Sequence, residues 1–196
     1  MARYGMVIDT RKCVGCMDCV VACKTENNVP EGYNRDWIVY ETTGASPSLH
    51  MEIRSERCNH CDDPPCVRVC PTQATWRRED GVVMMDWHRC IGCRYCVAGC
   101  PYGSRSFNWV DPRPHIARLT PDFPTRSKGV VEKCTLCPER LVEGRPPACV
   151  EECKPKAMVF GDLEDPGSEV RNLLRTRYAI RRRPELGTRP QVYYLV

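Results

Sequence analysis

Two stretches of this sequence carry the same pattern of cysteines: KCVGCMDCVVAC at residues 12–23 and RCIGCRYCVAGCP at residues 89–101. In both stretches the spacing is C-x2-C-x2-C-x3-C. All 16 cysteines of the chain fall into four groups of four, named here the first to fourth quartets. The quartets are Cys13, Cys16, Cys19, Cys23; Cys58, Cys61, Cys66, Cys70; Cys90, Cys93, Cys96, Cys100; and Cys134, Cys137, Cys149, Cys153. Because no cysteine is left over, the sequence indicates that all four quartets serve the same kind of site.

The spacing of the first and third quartets is the one by which bacterial ferredoxins hold [4Fe–4S] clusters. Three thiolates separated by two residues each can surround one cluster, and the fourth cysteine reaches a neighbouring cluster. A proline often follows that fourth cysteine; it is present after Cys70 and Cys100 and absent after Cys23. At four thiolates per cluster, the 16 cysteines predict four [4Fe–4S] clusters.

Zinc and disulfides are the alternative uses of closely spaced cysteines. The fourth quartet alone would fit a structural zinc site almost as well as an iron–sulfur cluster. The quartets at residues 13–23 and 90–100 are too crowded for a zinc ribbon. Disulfides would not require ferredoxin intervals, so iron–sulfur ligation is the favoured prediction, with zinc in one quartet as the remaining alternative.

The gaps between quartets predict how they pair. The inner gap, from Cys70 to Cys90, is 90 − 70 = 20 residues, whereas the outer gaps are 58 − 23 = 35 and 134 − 100 = 34 residues. We therefore expect an α+β fold of two nested bacterial-type 2[4Fe–4S] ferredoxin-like units, with a β-hairpin insertion and irregular docking loops. Residues 57–103 form the predicted inner unit, and residues 1–56 and 104–196 form the predicted outer unit.

Exchange of the fourth cysteine within each unit assigns a ligand set to every cluster. The predicted sets are Cys13, Cys16, Cys19 and Cys153 for cluster 1; Cys23, Cys134, Cys137 and Cys149 for cluster 2; Cys58, Cys61, Cys66 and Cys100 for cluster 3; and Cys70, Cys90, Cys93 and Cys96 for cluster 4.

Short secondary-structure elements are expected around these sites. Apolar or alternating segments predict strands at residues 6–9, 82–85, 158–160 and 191–196 and a hairpin from residues 37–41 and 50–54. Short helices are expected to start at the fourth cysteines. The charged segment 165–183 predicts a longer helix, and the Pro- and Arg-rich segment 111–126 predicts a docking loop.

The formal net charge of +4 counts every cysteine as neutral. Each oxidised cluster with four thiolates carries about −2, so four clusters change the total by about −8, to about −4. The basic residues are thus expected to face clusters and carboxylates, and no nucleic-acid partner is predicted. Raising cluster potentials and lying solvated at the surface remain alternative roles for the basic residues nearest the quartets, Arg57, Arg68, Arg89, Arg94 and Lys133.

No catalytic residue is predicted in this chain. The histidines are His50, His60, His88 and His115. His60, between Cys58 and Cys61, is expected to form hydrogen bonds or pack near a cluster. Because a full cysteine set leaves no iron open to substrate, we expect an electron-transfer protein that is not an enzyme by itself. The sequence has no apolar run of 18 or more residues and no signal-like N terminus, which by itself favours the cytoplasm.

The four motifs together resemble the iron–sulfur electron-transfer (beta) subunits of the complex iron–sulfur molybdoenzyme family. They read KCVGCMDCVVACKTEN, RCNHCDDPPCVRVCPTQA, RCIGCRYCVAGCPYG and KCTLCPERLVEGRPPACVEECKPKAM. Within that family the sequence most resembles the iron–sulfur subunits of polysulfide reductase and of dimethyl sulfoxide reductase. The resemblance covers nearly the whole chain.

This resemblance implies a subunit that lies between a molybdopterin-containing catalytic subunit and a polytopic, quinol-binding membrane anchor. Cluster 1 would lie nearest the catalytic subunit and cluster 4 nearest the membrane. The complex would serve anaerobic respiration of polysulfide or a related sulfur compound or sulfoxide, on the periplasmic face of the cytoplasmic membrane. Two alternatives are a soluble poly-ferredoxin serving a cytoplasmic hydrogenase or dehydrogenase, and a zinc-stabilised interaction module.

Overall fold

The computed structural model describes residues 2–120 and 126–196. Short strands and helices alternate along this part of the chain. The strands are β1 (Tyr4–Asp9), β2 (Asp36–Ala45), β3 (Ser48–Arg57), β4 (Thr75–Arg77), β5 (Val83–Met85), β6 (Ser106–Phe107), β7 (Val131–Glu132), β8 (Met158–Asp162), β9 (Ala179–Ile180) and β10 (Val192–Leu195). The helices are α1 (Asp18–Asn27), α2 (Pro65–Arg68), α3 (Tyr95–Ala98), α4 (Pro138–Val142), α5 (Ala148–Glu151) and α6 (Glu169–Thr176). The mixture agrees with the predicted α+β class.

The largest sheet has the strand order β8-β1-β10-β9. Strand β1 pairs antiparallel with β8, with Ile8 opposite Met158, and parallel with β10. Cys13 follows the end of β1 and Cys153 precedes the start of β8. Since these two strand ends are paired, the first quartet begins and the fourth quartet ends at the same end of the β1–β8 pair.

The two faces of this sheet have different neighbours because side chains alternate along a strand. Val7 faces helix α6, where it packs in one core with Val170 and Leu195. Met6 and Ile8 point the other way, into a second core that contains cysteines of three quartets. The sheet thus separates an aliphatic core from a second core in which cysteines pack among apolar residues.

Two antiparallel pairs confirm predicted features. Strands β4 and β5 join the second quartet to the third, with Thr75 opposite Met85. Strands β2 and β3 form the predicted hairpin, which is longer than expected, with Asp36 opposite Arg57 at its buried base. The far half of this hairpin is exposed, and the hydroxyl of Tyr40 donates a hydrogen bond to the carbonyl of Gly15 at 3.1 Å. The hairpin therefore extends past the loop of the first quartet.

The prediction that helices start at the fourth cysteines is wrong. Helices α2, α3 and α5 each contain the third cysteine of a quartet and end before the fourth. Proline disfavours the helical conformation in the residue before it, so Cys70 and Cys100 lie beyond the helix ends. Cys23 has no following proline, and α1 continues through it to Asn27.

The C-terminal helix is shorter than predicted, because α6 begins after Pro166 and Gly167 and ends at Thr176. The four predicted strands are confirmed as β1, β5, β8 and β10. The predicted docking loop at residues 111–126 includes one 3-10 turn, Arg113–His115, and its residues 121–125 lie outside the described part of the chain. No helix within the described residues is long and apolar enough to cross a membrane.

Candidate metal centres

Four cysteines from two distant quartets line one buried cavity. Cys23 from helix α1 faces Cys134, Cys137 and Cys149 across this cavity. Arg57 is also part of the wall. These four cysteines are the ones predicted to bind cluster 2.

A second cavity lies between the second and third quartets. It is lined by Cys58, Cys61, Cys66 and Cys100, the residues predicted for cluster 3. Arg105 contributes to its wall. The equal cysteine lining of the two cavities indicates that they hold the same kind of group.

The other eight cysteines line neither of these two cavities, and five of them are at least partly exposed. Burial raises the pKa of Cys13, and charge interactions with Cys153 and Cys16 contribute to the shift. Burial likewise raises the pKa of Cys96, and charge interactions with Cys66 and Cys90 contribute to the shift. No contact of Cys70 or Cys93 with another cysteine is seen within the described residues. Cys70 Sγ lies 3.8 Å from the hydroxyl of Thr72. The exposure of the eight differs: Cys16 is exposed, Cys13, Cys70, Cys90 and Cys93 are half-buried, and Cys19, Cys96 and Cys153 are buried.

All four quartets share one backbone feature. The residue directly before the second cysteine has a positive φ in each: Gly15 at 71°, His60 at 42°, Gly92 at 70° and Leu136 at 59°. Such a turn directs successive backbone N–H groups to one side, as in anion-binding nests. Glycine adopts this conformation freely, whereas His60 and Leu136 carry side chains that are held by burial. The repeated geometry indicates that all four loops serve the same kind of anionic group.

The loops differ in what they present to solvent. In the first and third quartets the residue after the first cysteine is apolar and exposed: Val14 at 64% and Ile91 at 67%. The equivalent residues of the second and fourth quartets, Asn59 and Thr135, are buried. Two quartets are thus enclosed, and two present an apolar loop at the surface.

Burial makes the free thiols poor acids. It raises the pKa of Cys19 and Cys61 to about 12 and that of Cys134 to about 11. Metal ligation requires thiolates, so iron binding must release these protons and positive groups must offset the resulting charge. The interior supplies such groups.

Arg57 connects residues of predicted clusters 1 and 2. Its Nη1 donates a hydrogen bond to Cys149 Sγ at 2.8 Å, and its Nη2 pairs with Asp36 Oδ2 at 2.8 Å. Ser55 Oγ donates to Asp36 Oδ1 at 2.5 Å and lies 3.8 Å from Cys19 Sγ. Arg57 therefore stabilises negative charge on Cys149 directly, while Asp36 balances part of its own charge.

A second buried network orients an amide toward two sulfurs. Arg35 Nη2 pairs with Glu132 Oε2 at 2.6 Å, and Arg35 Nη1 donates to Asn27 Oδ1 at 3.1 Å. Because the amide oxygen is thereby engaged, Asn27 Nδ2 faces Cys137 Sγ at 3.8 Å and Cys23 Sγ at 3.9 Å. Asn27 thus presents N–H donors to sulfurs of the cluster 2 set.

Lys133 and Arg105 lie deeper in the molecule. Lys133 Nζ donates to the carbonyls of Cys134, at 2.7 Å, and Val83. Arg105 Nη1 donates to the Thr75 hydroxyl at 3.1 Å. Within the described residues neither cation forms an ion pair with a carboxylate.

His60 has the packing role expected of it. Its side chain is buried, and its Nδ1 accepts a hydrogen bond from the backbone N–H of Val83 at 3.1 Å. Burial, reinforced by the nearby Lys133 and Arg105, holds the pKa of His60 well below its usual value. The imidazole is therefore neutral, with its proton on Nε2.

The basic residues singled out from the sequence separate into two groups. Arg57 and Lys133 are buried among cysteines, whereas Arg68, Arg89 and Arg94 are exposed. Sequence reasoning missed Arg105, which is buried in the cavity wall although it lies only five residues after Cys100. Its proximity to a quartet was a usable signal, but proximity alone does not distinguish it from exposed Arg94.

The donor set fits iron–sulfur clusters. Arg57 Nε and Arg105 Nη2 are buried without a hydrogen-bond partner within the described residues, and both side chains line cysteine cavities. Cluster sulfurs are acceptors suited to such donors. Among the described residues, no three His, Cys, Asp or Glu side chains are grouped closely enough to hold a single metal ion.

Comparison with known families identifies the kind of cofactor. Two family profiles, each described as a 4Fe-4S dicluster domain, match this sequence: one at residues 49–113 and 121–163, the other at residues 12–74. The matched segments include every quartet. The chain is therefore an iron–sulfur protein with multiple [4Fe–4S] clusters, and the zinc alternative is not supported.

Curated relatives match over nearly the full chain. The menaquinone reductase iron–sulfur cluster-binding subunit of Nitratidesulfovibrio vulgaris is 42% identical over 98% of this chain and 88% of its own length. The arsenate respiratory reductase iron–sulfur subunit of Shewanella sp. is 39% identical, over 98% and 96%. The B subunit of tetrathionate reductase from Salmonella typhimurium is 42% identical, over 98% and 72%.

The fold, the cysteine sites and these matches define an electron-transfer protein of the ferredoxin-like dicluster class. More particularly, the protein belongs to the family of iron–sulfur (B) subunits of molybdoenzyme oxidoreductase complexes. It is an electron-transfer subunit and not the catalytic subunit.

Proposed function

We propose that this chain carries four [4Fe–4S] clusters in a row between a quinol-oxidising membrane anchor and a molybdopterin catalytic subunit. Bound clusters supply one-electron redox chemistry, and the protein holds, spaces and insulates them. The observation that carries the proposal is the pair of matched cysteine cavities, each lined by four cysteines drawn from two quartets.

The nested arrangement and the four ligand sets are part of this proposal. The cavity linings support the sets of clusters 2 and 3, including the exchange of Cys23 and Cys100 between quartets. Pairing of β1 with β8 supports the outer unit, and pairing of β4 with β5 supports the inner unit, residues 57–103.

The order of the row follows from contacts between sets. Arg57 and Ser55 lie between the sets of clusters 1 and 2. A charge interaction with Cys58 contributes to the raised pKa of Cys134, which favours adjacency of clusters 2 and 3. A charge interaction with Cys66 likewise contributes to the raised pKa of Cys96, which favours adjacency of clusters 3 and 4. The proposed order is therefore 1-2-3-4.

The exposed apolar loops support the assignment of the two ends. Val14 lies beside the cluster 1 site and Ile91 beside the cluster 4 site, and both are more than half exposed. Electron exchange between subunits requires close approach of a cluster to the partner surface. We assign the Val14 loop to the catalytic subunit and the Ile91 loop to the membrane anchor, on the periplasmic face of the cytoplasmic membrane.

The terminal substrate belongs to the catalytic partner. Relatives named for tetrathionate, arsenate and selenate reductases match this chain at 39% to 42% identity. We propose respiration of polysulfide or a related sulfur compound or sulfoxide, supported by the tetrathionate reductase relative.

Affinity purification of the tagged chain from membranes of its native host tests the proposal. We expect a molybdenum-containing subunit and a polytopic membrane protein to copurify with it. Recovery with a hydrogenase or dehydrogenase from the soluble fraction would instead establish the poly-ferredoxin alternative.

A further inference from the structure

The interior holds one buried cation at each step of the proposed row, and this inference rests on that row. Arg57 lines the cysteine cavity of cluster 2 and reaches Ser55 beside the cluster 1 residue Cys19. Arg105 lines the cavity of cluster 3 and interacts with Cys96 of the cluster 4 set. Lys133 lies between the sets of clusters 2 and 3.

Lys133 connects the two nested units directly. Its ammonium group donates to the carbonyl of Cys134 in the outer unit and to that of Val83 in the inner unit. The charges that act on it come from Cys58, Cys134 and Cys66. These cysteines belong to the predicted ligand sets on both sides of the step from cluster 2 to cluster 3.

The three cations differ in whether a nearby carboxylate neutralises their charge. Arg57 pairs with the buried carboxylate of Asp36 at 2.8 Å. Lys133 and Arg105 form no ion pair with a carboxylate in the described part of the chain, and both are buried, at 1% and 6% exposure. Two cations that form no ion pair with a carboxylate in the described part of the chain therefore lie near cysteines of the cluster 3 set.

We infer that Lys133 and Arg105 raise the reduction potential of cluster 3, and that Lys133 also raises that of cluster 2 across the junction between the nested units. A reduced cluster carries one more negative charge than an oxidised one, so a nearby fixed cation favours the reduced state. Each transfer moves one electron from one cluster to the next.

The expected size follows from Coulomb's law. At an effective dielectric constant of about 20, a unit charge on the order of 10 Å away changes an electron-binding equilibrium about tenfold. For a one-electron couple a tenfold change corresponds to about 59 mV.

A redox titration of Lys133→Met in the intact complex, followed by EPR, tests the inference. Two of four cluster signals, those of clusters 2 and 3, should titrate at lower potential, with the reduced-to-oxidised ratio at fixed potential lowered about tenfold. Lys133→Arg keeps the charge and should titrate as the parent protein does.

Lys154→Met is the matched control. Lys154 also adjoins a predicted ligand, Cys153, but its side chain is 75% exposed, so water screens its charge. All four signals of this variant should remain unshifted. An equal shift in the Lys154 and Lys133 variants would overturn the inference.

A second pair, Arg105→Met and Arg105→Lys, covers the case in which Lys133→Met loses its clusters. Only the Met variant should lower the potential of cluster 3. A neutral variant that retains all four clusters with unchanged reduction potentials would overturn this inference but not the proposed function. Fewer than four clusters in the parent protein would overturn the proposed function instead.

Discussion

At the scale of single residues, the fourth cysteine of a quartet joins two distant parts of the chain. Cys23 shares a cavity with Cys134, Cys137 and Cys149, which lie more than a hundred residues later in the sequence. Its location on α1 follows from the missing proline, because the helix continues through it.

We predict that Cys23→Ser alters the cluster held by Cys134 and leaves the cluster held by Cys13 unchanged. The serine removes one thiolate from the shared cavity, so the EPR spectrum of cluster 2 should change or disappear. Cys153→Ser is the matched control and should affect cluster 1 instead. Loss of the Cys13 cluster in the Cys23 variant would contradict the exchanged ligand sets.

The cysteines that line the two cavities could be grouped from the sequence because their spacing reflects a local loop geometry. The buried cations could not, because burial depends on how distant segments pack. Lys133 and Arg94 each lie next to a quartet cysteine, yet only Lys133 is enclosed, whereas Arg94 stacks over Trp109 at the surface. The orientation of Asn27 likewise depends on Arg35, a contact that no local pattern contains.

At the scale of loops and helices, the turn before the second cysteine recurs in every quartet. In the third quartet the turn also requires close approach of backbone. A Cβ at Gly92 would lie 2.3 Å from the carbonyl oxygen of Gly129, which cannot move as a side chain can. Gly92 is thus required by both conformation and space.

We predict that Gly92→Ala lowers the iron content at cluster 4 and destabilises the holoprotein. Gly144→Ala is the control, because Gly144 has a similar φ of 73° but open space around its Cβ position. The control should cost only the backbone strain, about 1–2 kcal/mol. Equal losses of iron and stability in both variants would show that the close approach to Gly129 does not matter.

The position of the short helices shows how one residue type changes an element. Proline after Cys70 and Cys100 keeps these cysteines outside the helices, whereas the ferredoxin pattern predicted that helices start at them. The strands were predicted more accurately, since Met6, Val7 and Ile8 are buried and have apolar neighbours on both sheet faces. The effect of proline on the preceding residue could be predicted from the sequence, and it outweighs the expectation that helices start at the fourth cysteine.

The buried pair between Arg35 and Glu132 on β7 stabilises the wall of the cluster 2 cavity. Removing one partner of a buried ion pair leaves an uncompensated charge and costs about 3–5 kcal/mol. We therefore predict that Glu132→Gln markedly lowers the temperature at which the visible cluster absorbance is lost.

The exposed pair of Arg145 and Glu143 provides the control for that measurement. Its side chains are at least half exposed, so Glu143→Gln should change stability by no more than about 1 kcal/mol. Indistinguishable melting of the Glu132 and Glu143 variants would contradict a stabilising role for the buried pair.

At the scale of the whole molecule, the protein is organised around its cysteines. The four-stranded sheet and α6 enclose an aliphatic core on one side. On the other side, the interior contains buried cysteines and the cations Arg57, Lys133 and Arg105. In the proposed row, two enclosed sites lie between two sites near the surface, an arrangement suited to passing electrons from one partner to another.

The iron and acid-labile sulfide content of the anaerobically purified chain tests this account most directly. Four [4Fe–4S] clusters predict about 16 iron atoms and about 16 sulfides per chain, with no zinc. A value near 12 for iron, or one zinc with three clusters, would contradict the four-cluster row.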